Sequence, residues 1–256
     1  MPHQFIRTDL QDGCFTLTLA RPPVNVLHAP MMAEIGAALD EAAARPEVRV
    51  LVLTGRGQRV FSGGVEIADH GAERIGALMQ DFGRLLRRLT AFPLPTVAAL
   101  NGAALGGGLE LALACDMMVA VPEARLGHPE IKLAAIAFPG ILMLQGRLPP
   151  NRITELLAGG ELMDAAEALR LGLLNRVLAA NTFDAELAAF TAPFTRLSRP
   201  VLQLMMRSLK IARGRTLDSG FDELAHLYVD ELLPLADAAE GLAAYAARRA
   251  PVWQHR

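Results

Sequence analysis

The chain has 256 residues, 52% of them hydrophobic and 20% charged, with a mean hydropathy of +0.28. That supplies a sizeable core, sets a prior of one large domain or two small ones, and excludes a disordered or fibrous protein. With 25 basic and 27 acidic residues the net charge is −2, so no strong field points to nucleic acid or an anionic membrane. Cys14 and Cys115 are far apart and match no metal-ligand spacing. The opening MPHQFIRTDLQDG has neither an apolar signal core nor an Arg/Ser-rich presequence, so a reducing, cytoplasmic setting is expected.

In chain order, CFTLTLARP (14–22) alternates as a short strand. APMMAEIGAALDEAAARPE (29–47) has helical apolar spacing and stops near Pro46, and VRVLVLTG (48–55) reads as a buried, β-branched strand. A polar loop follows Gly64, then a helix through ERIGALMQDFGRLLRRLTAF (73–92) that halts at Pro93. The longest apolar stretch, 95–121, is long enough for a membrane span. Asn101, Glu110, Asp116 and three consecutive glycines inside it argue instead for a strand (96–100), a glycine loop, a buried helix and a further strand (116–121). Beyond Asn151 the pattern is helical over 151–160, 164–173, 181–197, 200–214 and 218–233. Met117, Met118, Met205 and Met206 read as core fillers. No repeat period and no Ser/Gly linker divide the chain. The expectation is one α/β domain with a helical C-terminal extension.

Two glycine turns stand out. Gly106-Gly107-Gly108 opens the buried helix, where backbone amides can approach an oxyanion or a phosphate. It fits neither the P-loop nor G-x-G-x-x-G, and a tight turn that serves only packing is the other reading. Phe61-Ser62-Gly63-Gly64-Val65-Glu66 follows the 48–55 strand, where open α/β sheets place ligands. Two such turns, each giving one amide, would make an oxyanion hole. Glu110 and Glu130 both stand in apolar sequence, where carboxylates enter only when paired or functional. They are therefore candidate acid/base groups; the alternative is that each is paired with an arginine. His128 reads first as a structural histidine and second as a hydrogen-bonding group of the site. The histidines form no H-x-x-x-H pair, so no metal site is expected.

These segments add up to a pattern that resembles the enoyl-CoA hydratase/isomerase (crotonase) superfamily over essentially the whole chain. The matching pieces are ARPPVNVL, VRVLVLTGRGQRVFSGGVEI, PTVAALNGAALGGGLELALACDMMVA, ARLGHPEIKL and AAEALRLGLLNRV, with EGLAAYAARRAPVWQHR at the end. The resemblance implies a ββα spiral core over 1–195 and a helical trimerisation region over 196–256, with trimers that often pair into hexamers. It implies an oxyanion hole from the amides of Val65 and Gly107, with Glu110 and Glu130 as the two catalytic glutamates. Pro23, Val24, Val26, Gly63, Glu66, Ile67, Gly106 and Pro129 would contact the acyl-CoA. CoA belongs to the substrate, and no further cofactor is implied. Many superfamily members keep one glutamate, so two favour hydration; double-bond isomerisation and a non-catalytic or RNA-binding role are the rivals.

Three departures bear on the substrate. Glu66 stands where aspartate is usual, and Pro23 where a lysine often lies near the CoA phosphates. PGILMLQGRL (139–148) replaces a glycine-rich stretch of ordinary hydratases and brings Ile141, Leu142, Met143 and Leu144 toward the acyl pocket. In this stretch, and in the ending, the chain resembles the cyclohexa-1,5-diene-1-carbonyl-CoA hydratases of aromatic degradation.

Overall fold

The computed structural model describes residues 3–71 and 73–256. In chain order its strands are β1 (Ile6–Gln11), β2 (Cys14–Leu19), β3 (Val50–Gly55), β4 (Val60–Ser62), β5 (Thr96–Leu100), β6 (Ala103–Leu105), β7 (Met117–Ala120), β8 (Arg125–Gly127), β9 (Leu162–Asp164) and β10 (Arg176–Val177). They form two sheets, one ordered β1-β2-β3-β5-β7-β10 and the other β4-β6-β8-β9. From β2 through β10 the large sheet is parallel, and β4, β6 and β8 are parallel in the small one.

The helices are α1 (Ala29–Ala44), α2 (Ile75–Thr90), α3 (Gly107–Leu113), α4 (Phe138–Leu144), α5 (Pro150–Gly159), α6 (Ala165–Arg170), α7 (Phe183–Thr195), α8 (Arg199–Ala212), α9 (Leu217–His226) and α10 (Ala236–Ala246). Three times in succession a strand enters the large sheet, the next enters the small sheet, and a helix follows: β3-β4-α2, β5-β6-α3 and β7-β8-α4. This is the expected ββα spiral. The structural repeat that went unseen in the sequence is therefore real.

Alternation of side chains across the large sheet explains its unbroken apolar strands. Leu51, Leu53, Ala98, Leu100 and Met118 face the main core with α1 and α2. Val50, Val52, Val97, Ala99 and Val119 face the other way, where Phe190 and Phe194 of α7 pack on them. Covering both faces lets β5 be buried at every residue.

Most expected segments form with trimmed ends. The sequence missed β1, α4, α10 and the three-residue strands of the small sheet. The helical reading of 218–233 becomes α9 followed by a wider, π-type turn over Leu227–Leu232. Both cysteines are free thiols, Cys115 buried and Cys14 partly so. Among the described residues no helix is long and apolar enough to cross a membrane.

The stretch 196–256 comprises α8, α9, α10 and the tail. Leu202 joins the main core, and Arg199 donates to the carbonyls of Ala43 (2.6 Å) and Val48 (3.2 Å). Buried Asp237 accepts the amides of Gln254 (2.7 Å) and His255 (2.9 Å). Much of the rest of its apolar surface is open, including Leu209, Leu217, Phe221, Tyr228, Leu242 and Tyr245. Met118 and Met206 are core residues as expected, but Met205 is exposed on that same face.

Candidate active site

Asn25 ties the first glycine turn to the sheet. Its side-chain amide donates to the carbonyls of Arg56, Val60 and Phe61 at 3.1–3.2 Å, and its own carbonyl accepts from the Ser62 hydroxyl at 2.9 Å. The segment 23–27 consequently runs beside the turn. Gly63 donates its amide to Val24 O at 2.8 Å, and Leu27 forms a parallel bridge with Val65. Arg21 bonds the Val26 carbonyl (2.9 Å) and pairs with Glu66 (2.8 Å). Pro23, Val24, Val26, Gly63, Glu66 and Ile67 thus form one partly open surface. Pro23, Val24, Gly63 and Ile67 are exposed there, while Val26 and Glu66 are half-buried.

The second turn locks into the first. A methyl group at Gly108 would lie 2.5 Å from Ser62 O, and one at Gly107 would lie 2.4 Å from Val65 Cγ2 and 3.4 Å from Val65 N. Gly106 has φ +51°, and a methyl there would meet Glu130 Oε1 at 2.7 Å. Only glycine permits that backbone beside that carboxylate. The Val65 and Gly107 amides therefore sit close together, and neither donates a hydrogen bond within the chain among the described residues. Gly107 is the first residue of α3, where an amide has no intrahelical acceptor.

Glu110 lies on the buried face of α3, 3% exposed. Its Oε1 accepts the amide of Gly140, at the start of α4, at 2.8 Å. Burial pushes its carboxyl up to about 7; His128 and the Gly140 amide pull against that rise, and Glu130 adds to it. Glu130 follows Pro129 in a 3-10 turn (Pro129–Leu133), with its side chain 20% exposed. No arginine pairs with either carboxylate among the described residues, which disposes of the bland reading of both. Glu130 is partly buried, but its apolar neighbours do not cover it. Ile131, Leu133 and Ile136 point outward, because the short turn and the left-handed Ala134 keep them off the core.

His128 is the residue that sequence reasoning underweighted. Glu110, His128 and Glu130 each offer one ligating atom within 4.8 Å of the others. Local spacing could not reveal this, because Glu110 arrives from another element. Gly140 was also missed; the Pro-Gly at 139–140 was its only signal. The four bulky residues of 141–144 do not form one wall. Leu144 is fully buried and Met143 packs on the core, whereas Ile141 and Leu142 remain open.

The family model for enoyl-CoA hydratase/isomerase matches residues 9–256. The chain belongs to this family. Among its relatives is a cyclohexa-1,5-dienecarbonyl-CoA hydratase of Thauera aromatica, 33% identical over 94% of this chain and 92% of that protein. A carnitinyl-CoA dehydratase of Citrobacter koseri is 35% identical over 94% of each. The crystal structure of an enoyl-CoA hydratase from Bacillus anthracis superposes with a TM-score of 0.94 at 25% identity, over 99% of this chain and all of that one. The crotonase-type fold and the superfamily resemblance are thus both upheld.

Proposed function

We propose that this chain is an acyl-CoA hydratase that adds water across a C=C bond conjugated to the carbonyl of a CoA thioester. Family membership places it with hydratase-type lyases. The observation that carries the reading is the juxtaposition of two carboxylates that no arginine or lysine pairs with and two backbone amides without an acceptor, among the described residues. In this reading the Val65 and Gly107 amides receive the thioester oxygen as charge builds on it, an interaction worth ~3 kcal/mol per donor. Glu110 and Glu130 hold the water between them. Its oxygen bonds to the β-carbon, one carboxylate takes its proton, and the other carboxyl gives a proton to the α-carbon. The conjugated thioester already makes the β-carbon electrophilic, so the step calls for no metal or redox group. Pro23, Val24, Val26, Gly63, Gly106, Glu66, Ile67 and Pro129 form the acyl-CoA contact surface.

The acyl group proposed is a cyclic dienoyl ring. It is supported by the Thauera relative and by Ile141 and Leu142, whose open apolar side chains suit a flat ring better than a long flexible chain. Discrimination by apolar contacts is worth ~1–3 kcal/mol per small group, so a preference of roughly ten- to a few hundred-fold is expected. A panel of crotonyl-, cyclohex-1-enecarbonyl- and cyclohexa-1,5-dienecarbonyl-CoA with a C8 linear enoyl-CoA, read by the mass gain of one water, tests this. Faster hydration of every linear ester would sink the cyclic assignment and leave hydration standing. Double-bond migration without water gain would replace hydration by isomerisation.

The exposed apolar face of α8–α10 supports self-association as trimers or hexamers. Light scattering at micromolar concentration should give three or six chain masses. A stable single-chain mass would contradict it.

A further inference from the structure

We propose that His128 is a positioning residue of the two-carboxylate site, holding Glu110 and Glu130 in place from their buried side and deciding how tightly Glu110 keeps its proton. This rests on the reading of Glu110 and Glu130 given above. The imidazole is fully buried, and among the described residues both of its ring nitrogens lack a hydrogen-bond partner, as does Glu130 Oε2. An interior histidine kept only for packing would be bonded to something, since a buried polar group without a partner costs stability. Leucine would fill the same space without that cost.

The surroundings say what the ring faces. Its Nδ1 is 3.7 Å from Glu130 Oε1, too long for a hydrogen bond at rest. A small rotation would close the gap, and such contacts commonly tighten only when substrate is bound. A methyl group at Gly140 would lie 2.8 Å from Cε1 and 2.9 Å from Nε2 of this ring and 3.3 Å from Glu110 Oε1. Gly140 therefore leaves the imidazole and the Glu110 carboxyl side by side, while its amide fixes the carboxyl from the other direction. Among the described residues, the elements with the most extensive packing on α3, namely β4, β6, β7 and α4, carry no ionisable side chain, and α2 meets it through Phe82. Lys132 reaches out to Glu161, and Arg152 of α5 pairs with Glu155 and Glu167. His128 and Glu130 act on Glu110 in opposite directions, the first lowering and the second raising its proton affinity.

His128 opposes the upward push that burial exerts on Glu110, so removing it should leave Glu110 protonated to higher pH. Whichever protonation state of Glu110 the reaction needs, the limb of the kcat/KM profile that reports it moves upward. A residue that only filled space would lower kcat or the melting temperature and leave the limb in place.

The experiment compares wild type, His128→Leu and His128→Gln by two readouts. The first is the pH profile of kcat/KM for hydration. The second is the titration of the Glu110 carboxyl carbon by NMR in the substrate-free protein, together with the His128 ring-nitrogen resonances of the wild type. The expected result is a carboxyl midpoint near 7 in wild type, higher in His128→Leu and less shifted in His128→Gln, which keeps a donor. The profile limb should move in parallel, and the ring-nitrogen shifts of the wild type should follow the same midpoint. Superimposable titrations in folded variants, or ring nitrogens that stay flat through the carboxyl transition, would overturn the proposal; the latter needs no variant to fold. If the titrations move but wild type hydrates no enoyl-CoA, the functional reading fails and the role of His128 stands. If hydration is robust and the titrations do not move, the reverse holds.

Discussion

Glu110→Gln lowers kcat for hydration by at least ~100-fold, the lower range for a positioned acid/base group, without a fall in melting temperature. The side chain is almost completely buried in α3, and its Oε1 accepts one hydrogen bond, from Gly140. Glutamine has the same shape and keeps an oxygen for that amide. It loses only the exchangeable proton and the charge that burial disfavours, so the fold has nothing to lose. Glu130→Gln should cost a similar factor, and the double variant little more, because two groups acting on one water work as a unit. Turnover near that of wild type in either single variant would remove that residue from the mechanism.

Which parts of this arrangement were legible in the sequence follows from their range. The β3 run was visible because a strand covered on both faces is apolar at every position, and β5 was read to the residue for the same reason. The small sheet was invisible. Strands of three residues, such as Arg125–Gly127, are too short to show a period. The spiral repeat left no sequence period because its spacing is uneven: β3 and β5 begin at Val50 and Thr96, but β7 begins at Met117. Glu110 could be singled out as a charge in an apolar helix. Glu130 was reached by the same rule and is partly buried, although its apolar neighbours face outward. His128 acquires meaning only beside Glu110 and Gly140, one on each side of it in the chain and both remote from it. The two amides are backbone groups, so the sequence could offer only the glycines that make room for them.

That room is the subject of the second large effect, Gly108→Ala. The added methyl would lie 2.5 Å from Ser62 O, 2.7 Å from Ser62 Cβ and 2.8 Å from Ser62 Oγ. Two of these atoms belong to no mobile side-chain end, so the clash must be relieved by moving backbone. Ser62 has little freedom: it is fully buried, its hydroxyl donates to Asn25 O and accepts from the Gly64 amide, and Asn25 holds three further carbonyls. Displacement is therefore passed along the turn toward Val65, or back into α3 toward Gly107, and either path separates the two amides. Overpacking of this kind costs ~1–3 kcal/mol of stability. Misplacing one oxyanion donor costs ~10²–10³-fold in kcat, so turnover should collapse while most of the protein remains folded. Gly76→Ala is the control, since that glycine sits on α2 with open space around it and alanine favours a helix. Circular dichroism melts and initial hydration rates on both variants decide the matter. A folded Gly108→Ala protein with undiminished kcat would mean that the interlocked glycine turns do not hold the amides that the reaction uses.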